Sequence, residues 1–215
     1  HLFGLDELIL FCFYYTNKNR YKRVADLGAN IGLHTVILSK LGFEVTSYEP
    51  DKIHQTQINK NIDINTLINM PKIKNKAIST ESGSVEFTRV KGNTTGSHIS
   101  GAKESPYGDL EKFTVETDSF TEIISNFDLL KIDVEGFEAK IISQTDHDHW
   151  INTDAMIEVG NVKNSKIIFD HMNLIKVNLF SQKTGWNRVL DLEQMPTSYK
   201  EGSLFLSTKS IVPWS

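Results

Sequence analysis

From residue 23 onward the chain alternates short apolar runs with longer segments of helical spacing. Residues 23–27 form a short run with Val24, Ala25 and Leu27 around Asp26 and end at Gly28, which predicts a strand. Residues 33–41 carry Val36, Ile37 and Leu41 at helical spacing, with Gly42 as a stop signal. Residues 43–48 predict a second strand closed by Glu49 and Pro50, and residues 53–65 a polar, Asn-rich helix. Residues 72–79 read as a third strand and 84–89 as another with alternating faces. Strands follow at 113–116, 129–134, 155–159, 177–182 and 203–207, and helices at 119–125, 136–143 and 163–172. Ahead of this pattern, residues 5–15 are almost wholly apolar and predict a buried helix whose Asp6 and Glu7 suit the positive end of its dipole.

Strand followed by helix, repeated, implies an α/β domain: a Rossmann-like, mainly parallel sheet of about seven strands with helices on both faces. We expect a helical segment over residues 1–22 and one catalytic domain over 23–215. In such sheets ligands bind at the carboxyl ends of the strands. That rule singles out residues 26–32, 49–51, 133–136 and 158–161. Residues 91–109 are rich in Gly, Ser and Thr and read as a long loop, a candidate lid over an acceptor.

Composition narrows the classes. At 215 residues, 39% hydrophobic and 23% charged, the chain suits one soluble domain with a real core. A net charge of −4 disfavours broad nucleic-acid binding, which needs clustered Lys and Arg. No apolar run is long enough to cross a bilayer, and the opening stretch does not read as a signal peptide. Cys12 is the only cysteine, lies in an apolar run, and is expected to be a buried structural thiol. One thiol forms no intramolecular disulfide, which fits a reducing, cytoplasmic setting. The chain opens on His1, which fits a domain cut from a longer chain or a trimmed terminus.

The loop after the first strand runs Asp26-Leu27-Gly28-Ala29-Asn30-Ile31-Gly32. Gly28 permits a sharp turn and close ligand approach, Asn30 tolerates a left-handed backbone, and Gly32 is expected to let the next helix pack close to the strand. The nicotinamide fingerprint G-x-G-x-x-G is broken, with Asn30 at its second glycine and Leu33 at its third. Asp26 would repel a pyrophosphate but suits a cationic sulfonium with an amino group. That balance favours S-adenosylmethionine over NAD. Glu49, ending the second strand, can accept from both ribose hydroxyls. An NAD-dependent oxidoreductase and a non-catalytic Rossmann-like module are the competing readings.

A second cluster is Lys131-Ile132-Asp133-Val134-Glu135-Gly136-Phe137-Glu138. Lys131 interrupts an apolar strand, which is costly unless its amine finds a partner. Asp133 and Glu135 stand at the strand's end, and Glu158 ends another strand nearby. Helix capping accounts for Glu138 but not for Lys131. We expect Asp133 or Glu135 to accept the acceptor's proton, Lys131 to hold a carboxylate ionised, and Glu158 to orient the acceptor. Asp133 and Glu158 are also the candidate ligands for a divalent metal, Mg²⁺ preferring oxygen. His98, in the long loop, is a candidate acceptor contact. His34 is expected to be packed or solvated. Trp150 and Trp186 suit packing better than sugar stacking.

Taken together, the segments 24–39 and 129–142 resemble the FkbM family of methyltransferases. The resemblance rests on Asp26–Gly32 and Lys131–Glu138, and extends to Glu49-Pro50, Asn75-Lys76-Ala77-Ile78, Asp118 and Leu204-Phe205-Leu206. Asn161 departs from it, since members often carry a histidine there. The resemblance implies S-adenosylmethionine as methyl donor and O-methylation, commonly of sugar hydroxyls in polysaccharides, glycolipids or glycosylated natural products. It also fits tethering to other glycan-processing domains. Asp26, Gly28, Ala29, Asn30, Gly32, Glu49, Pro50, Ala77 and Asp133 would then hold the cofactor, its adenine lying near Lys76-Ala77-Ile78.

Overall fold

The computed structural model describes residues 4–92, 96–102 and 108–214. The chain opens with α1 (Leu5–Thr16), then β1 (Arg23–Leu27), α2 (Leu33–Lys40), β2 (Glu44–Tyr48), α3 (Lys52–Asp63), β3 (Lys72–Lys74) and β4 (Ala77–Ser79). A hairpin region follows with β5 (Gly83–Val90), β6 (His98–Ile99) and β7 (Leu110–Ser119), leading into α4 (Phe120–Ile123). The second half adds β8 (Leu129–Ile132), α5 (Glu138–Ile142), β9 (Asp154–Glu158), α6 (Val162–Leu174), β10 (Asn178–Ser181), β11 (Asn187–Arg188) and β12 (Ser203–Ser207).

Eight strands form the main sheet in the order β11-β10-β12-β9-β8-β1-β2-β3. From β3 to β9 the pairs are parallel, whereas β12 and β10 run antiparallel to their neighbours. The expected Rossmann-like α/β architecture is therefore present, with one more strand than anticipated and an antiparallel flank. Strand parity sorts its two faces. Leu27, Leu130, Ile132, Ile157 and Leu204 pack on one face with Phe120, Ile141 and Ile168 of the later helices. Val24, Leu129, Met156 and Phe205 pack on the other with Leu10, Phe13 and Tyr14 of α1 and Leu38 of α2.

Three expectations need correction. Residues 72–79 are two strands: β3 pairs with β2, while β4 pairs with β7 in a separate four-stranded sheet, β4-β7-β5-β6. The Lys74 carbonyl accepts from Glu49 N, and the chain then steps to the second sheet. The step depends on which strands pair, and the polar and apolar pattern of residues 72–79 does not fix that pairing. Cys12 is exposed. The inward stripe of α1 runs through Leu10, Phe13, Tyr14 and Asn17, and Cys12 lies off it. The long loop contains β6, which pairs with β5, and residues 93–95 and 103–107 of it lie outside the described residues.

Candidate active site

The glycine loop is stitched to the end of β2: Gly28 N and Ala29 N both donate to the Tyr48 carbonyl, each at 3.0 Å. Asn30 takes the left-handed backbone expected of it, with φ 52°. Its amide donates to Glu49 Oε2 at 2.8 Å, and Asp51 N donates to Glu49 Oε1 at 2.8 Å. Two backbone amides thus fix the Glu49 carboxylate. His54 Nδ1 stands 3.4 Å from Glu49 Oε1; burial works against the charged ring, but the carboxylate outweighs it and raises its pKa. Gly32 packs against Ile58 of α3, where a Cβ would meet two side-chain carbons at 3.2 Å. The close approach it allows is therefore helix to helix, not helix to strand.

A cleft opens above this frame. Gly28, Asn30, Glu49, Pro50, Ala77, Asp133 and Glu135 line it, as do Lys76 and Ile78. Sequence reasoning missed Tyr48, His54, Phe87, Ser97, Ile99 and Val134, which also line it. Phe87 and Ile99 come from the second sheet, and no local pattern announces that β5 and β6 fold over the first. His54 was detectable: it follows the acidic strand end by one helical turn.

Asp26 and Lys131 lie below the cleft, on the α1 and α2 face of the sheet. A row of paired positions crosses four strands as Ser47, Asp26, Lys131 and Met156. Asp26 is fully buried; Thr35 Oγ1 donates to its Oδ2 at 2.7 Å, and Thr35 also bonds Ser47 at 2.7 Å. Lys131 Nζ stands 3.2 Å from Asp133 Oδ2 and 3.8 Å from Asp26 Oδ1. Burial would push its pKa down, but the carboxylates of Asp133 and Asp26 outweigh burial and hold the amine protonated. This is the partner that a lysine in an apolar strand requires. Ala29 is buried beneath the loop with Val36, Ile58 and Ile62.

The turn after β8 is tight and strained. Glu135 has φ 54° and Gly136 φ 98°. A left-handed glutamate is a cost that folds retain where it aims a functional group. Glu138 braces the turn: its carboxylate accepts from Val134 N at 2.9 Å and from Gly136 N at 3.0 Å. Burial and the Asp133 charge push Glu138 up to about 7. Glu158, at the end of β9, is pushed up to about 8 by burial and by the charges of Asp133, Glu135 and Glu138, against the pull of Lys131. Glu158 therefore belongs to the Asp133 cluster electrostatically, although it does not line the cleft. Among the described residues, no group of three or more His, Cys, Asp or Glu side chains is arranged to hold a metal ion.

The other singled-out residues have packing partners. His34 is buried between Tyr14 Oη, 3.0 Å from its Nδ1, and Glu7 Oε2, 2.9 Å from its Nε2. His98 is buried in β6 with Nδ1 2.8 Å from the Gly96 carbonyl. Trp150 is in the core, and Trp186 packs on Trp214. Asn161 caps α6, accepting from Asn164 N. No helix among the described residues is long and apolar enough to cross a membrane.

A parallel core sheet with glycine loop, acidic second-strand end and acidic fourth-position turn all facing one cleft defines a Rossmann-like class I methyltransferase. The chain belongs to the FkbM methyltransferase domain family, whose model matches residues 26–194. Several solved structures are similar to the chain. One from Klebsiella pneumoniae, assigned as an O-methyltransferase, superposes with a TM-score of 0.50 at 8% identity, over 95% of this chain and 80% of that one. Cofactor-bound Rv0187 from MTB gives 0.49 at 8% identity, over 96% and 81% of the two chains. The human methyltransferase 10 domain containing protein gives 0.49 at 12%, over 96% and 84%. No curated protein matches the chain significantly.

Proposed function

We propose that this methyltransferase takes its methyl group from S-adenosylmethionine and delivers it to a hydroxyl oxygen, that of a sugar in a glycan, polysaccharide or glycosylated natural product. The observation that carries the donor assignment is the Glu49 carboxylate, held by two backbone amides at the rim of a cleft that Asn30 and Asp133 share. The residues present fit such a donor. Asn30 Oδ1 is buried without a hydrogen-bond partner among the described residues, an acceptor suited to the donor's amino group. Glu49 retains lone pairs for ribose hydroxyls. Tyr48, Ile78, Phe87 and Ile99 supply apolar walls for a base. When bound, the donor supplies a methyl group activated by a positive sulfur. The sugar acceptor rests on the family resemblance.

The chain's own groups then divide the work. Gly28, Asn30, Glu49, Pro50 and Ala77 bind and orient the donor beside Asp133, with Asp26, Ala29 and Gly32 shaping the loop from below. Asp133 or Glu135 takes the proton of the attacking hydroxyl. Glu158 orients the acceptor, with His98 as a second contact, and Lys131 places its ammonium 3.2 Å from Asp133. The chain divides after residue 22 into a helical segment and the catalytic domain. Its lone exposed thiol fits the reducing cytoplasm. A tether to other glycan-processing domains fits the same reading.

Incubation with S-adenosylmethionine and a panel of glycosides, read by mass spectrometry, tests this directly. A gain of one methyl group on a glycoside is the expected result, and no product from any hydroxyl acceptor would overturn the O-methyl assignment. Repeating the assay with a chelator decides whether Asp133 and Glu158 recruit a divalent metal.

A further inference from the structure

The second sheet shares no strand with the main sheet, yet its Phe87 and Ile99 form part of the cleft wall. Something must hold that wall at a fixed height over the donor. An ion pair joins β5 to the start of α3. Arg89 of β5 donates from Nε to Asp51 Oδ2 at 2.5 Å and from Nη2 to Asp51 Oδ1 at 2.6 Å, a bidentate fork. Its remaining nitrogen Nη1 donates to Glu111 Oε2 at 2.9 Å. The guanidinium also lies 4.7 Å above the Phe113 ring, and that ring packs 5.6 Å from Phe87. Asp51 is fully buried on the other side. It caps α3 by accepting from Ile53 N, and its own amide donates to Glu49.

We propose that Arg89 is a positioning residue: its fork on Asp51 latches the second sheet over the cleft and so sets the affinity for the donor's nucleoside. This rests on reading the cleft as the S-adenosylmethionine site. A helix cap alone needs one acceptor atom, which Ser or Asn supplies as well as Asp. A bidentate pair to another sheet exceeds that need. It joins Phe87 through Phe113, Arg89 and Asp51 to the carboxylate of Glu49 in unbroken contact. Lysine cannot replace the fork, because an ammonium presents a point charge rather than two parallel donors.

Calorimetric titration of S-adenosylhomocysteine and of adenosine into the wild type, Arg89→Lys, Arg89→Met, Asp51→Asn and the double variant Asp51→Asn/Arg89→Met tests the latch. Each single variant is expected to weaken both ligands by about ten- to a hundredfold, the usual span of site coupling. The double variant is expected to lose no more than the worse single one, since both remove one interaction. Unfolding temperature, measured alongside, separates this from a purely structural role, which lowers stability without changing affinity in the folded protein. Should Arg89→Met fail to fold with Asp51 left buried and unpaired, Arg89→Lys and the double variant still decide. Wild-type affinity in folded Arg89→Lys, or losses that add in the double variant, would overturn the latch alone. A wild type that binds neither ligand would overturn the reading of the cleft and the latch with it.

Discussion

Gly28 and Asp133 touch through their backbones: the Cβ that Gly28 lacks would lie 1.8 Å from the Asp133 carbonyl oxygen. The two loops that carry the acidic cleft residues therefore meet at a point where only glycine fits. Gly28 also has φ 80°, a conformation other residues enter at a cost. Its role is to let one part of the protein approach another, and this sets the spacing of Glu49 and Asp133 across the cleft.

Gly28→Ala should lose about 3 kcal/mol or more of stability, from overpacking and the left-handed backbone together. The surviving folded fraction should bind S-adenosylhomocysteine poorly, because relief requires the Asp133 turn to move away. Chemical unfolding and calorimetry check both effects. A variant as stable and as tight-binding as the parent would show that the loops separate freely.

Lys131→Met should cost about 3–5 kcal/mol, since it leaves buried carboxylates without their cation. Adding Asp26→Asn should recover part of that loss, because the fully buried Asp26 oxygen 3.8 Å from the amine then carries no charge. Burial opposes the Lys131 charge, but the carboxylates raise its pKa above that of the unfolded chain. Its stabilising effect is therefore complete at neutral pH and lost only in strong alkali. Urea unfolding of the parent, single and double variants measures the coupling.

Glu158 is pushed up to about 8 and Glu138 to about 7 by burial and by the Asp133 charge. Both bind protons more tightly folded than unfolded. The stability they contribute is full below the ordinary carboxylate range and falls as pH rises through the folded values. The ligand-free protein should thus lose a few kcal/mol, about 2–4, between roughly pH 5 and pH 8. Glu158→Gln should flatten that decline, as unfolding curves across the range will reveal. An unchanged slope would mean that Glu158 already titrates as an ordinary glutamate.

Asp133→Asn and Glu135→Gln test the proton acceptor. The variant that removes the base should drop turnover by about a hundredfold or more while binding of S-adenosylhomocysteine survives. If both retain turnover near the parent value, neither carboxylate is the base. Glu49→Gln should act the other way, weakening donor binding at least about tenfold, because one of its oxygens would become an amide nitrogen facing a backbone N–H.

Most strands and helices were legible because their hydrophobic period differs, and the Asp26–Gly32 and Lys131–Glu138 segments announced themselves by breaking it. Lys131 in an apolar strand was the clearest such break, and its partner Asp26 stands directly across the strand pair. The pairing of Asp51 with Arg89 was not legible, the two being 38 residues apart with no local feature linking them. Nor was the division of residues 72–79 between two sheets, which is settled by pairing with the distant strands β2 and β7.

By itself the sequence determined the α/β order of elements, the glycine loop with its left-handed Asn30, and the family to which the chain belongs. These depend on local propensity and on short-range spacing, which the chain carries residue by residue. Only the tertiary structure decided that Asp26 sits beneath the cleft, that Glu49 is aimed by two amides, and that Phe87 and Ile99 wall the site. Those depend on which strands pair and which loops meet, and contacts between residues far apart in the chain arise only once the whole core has closed.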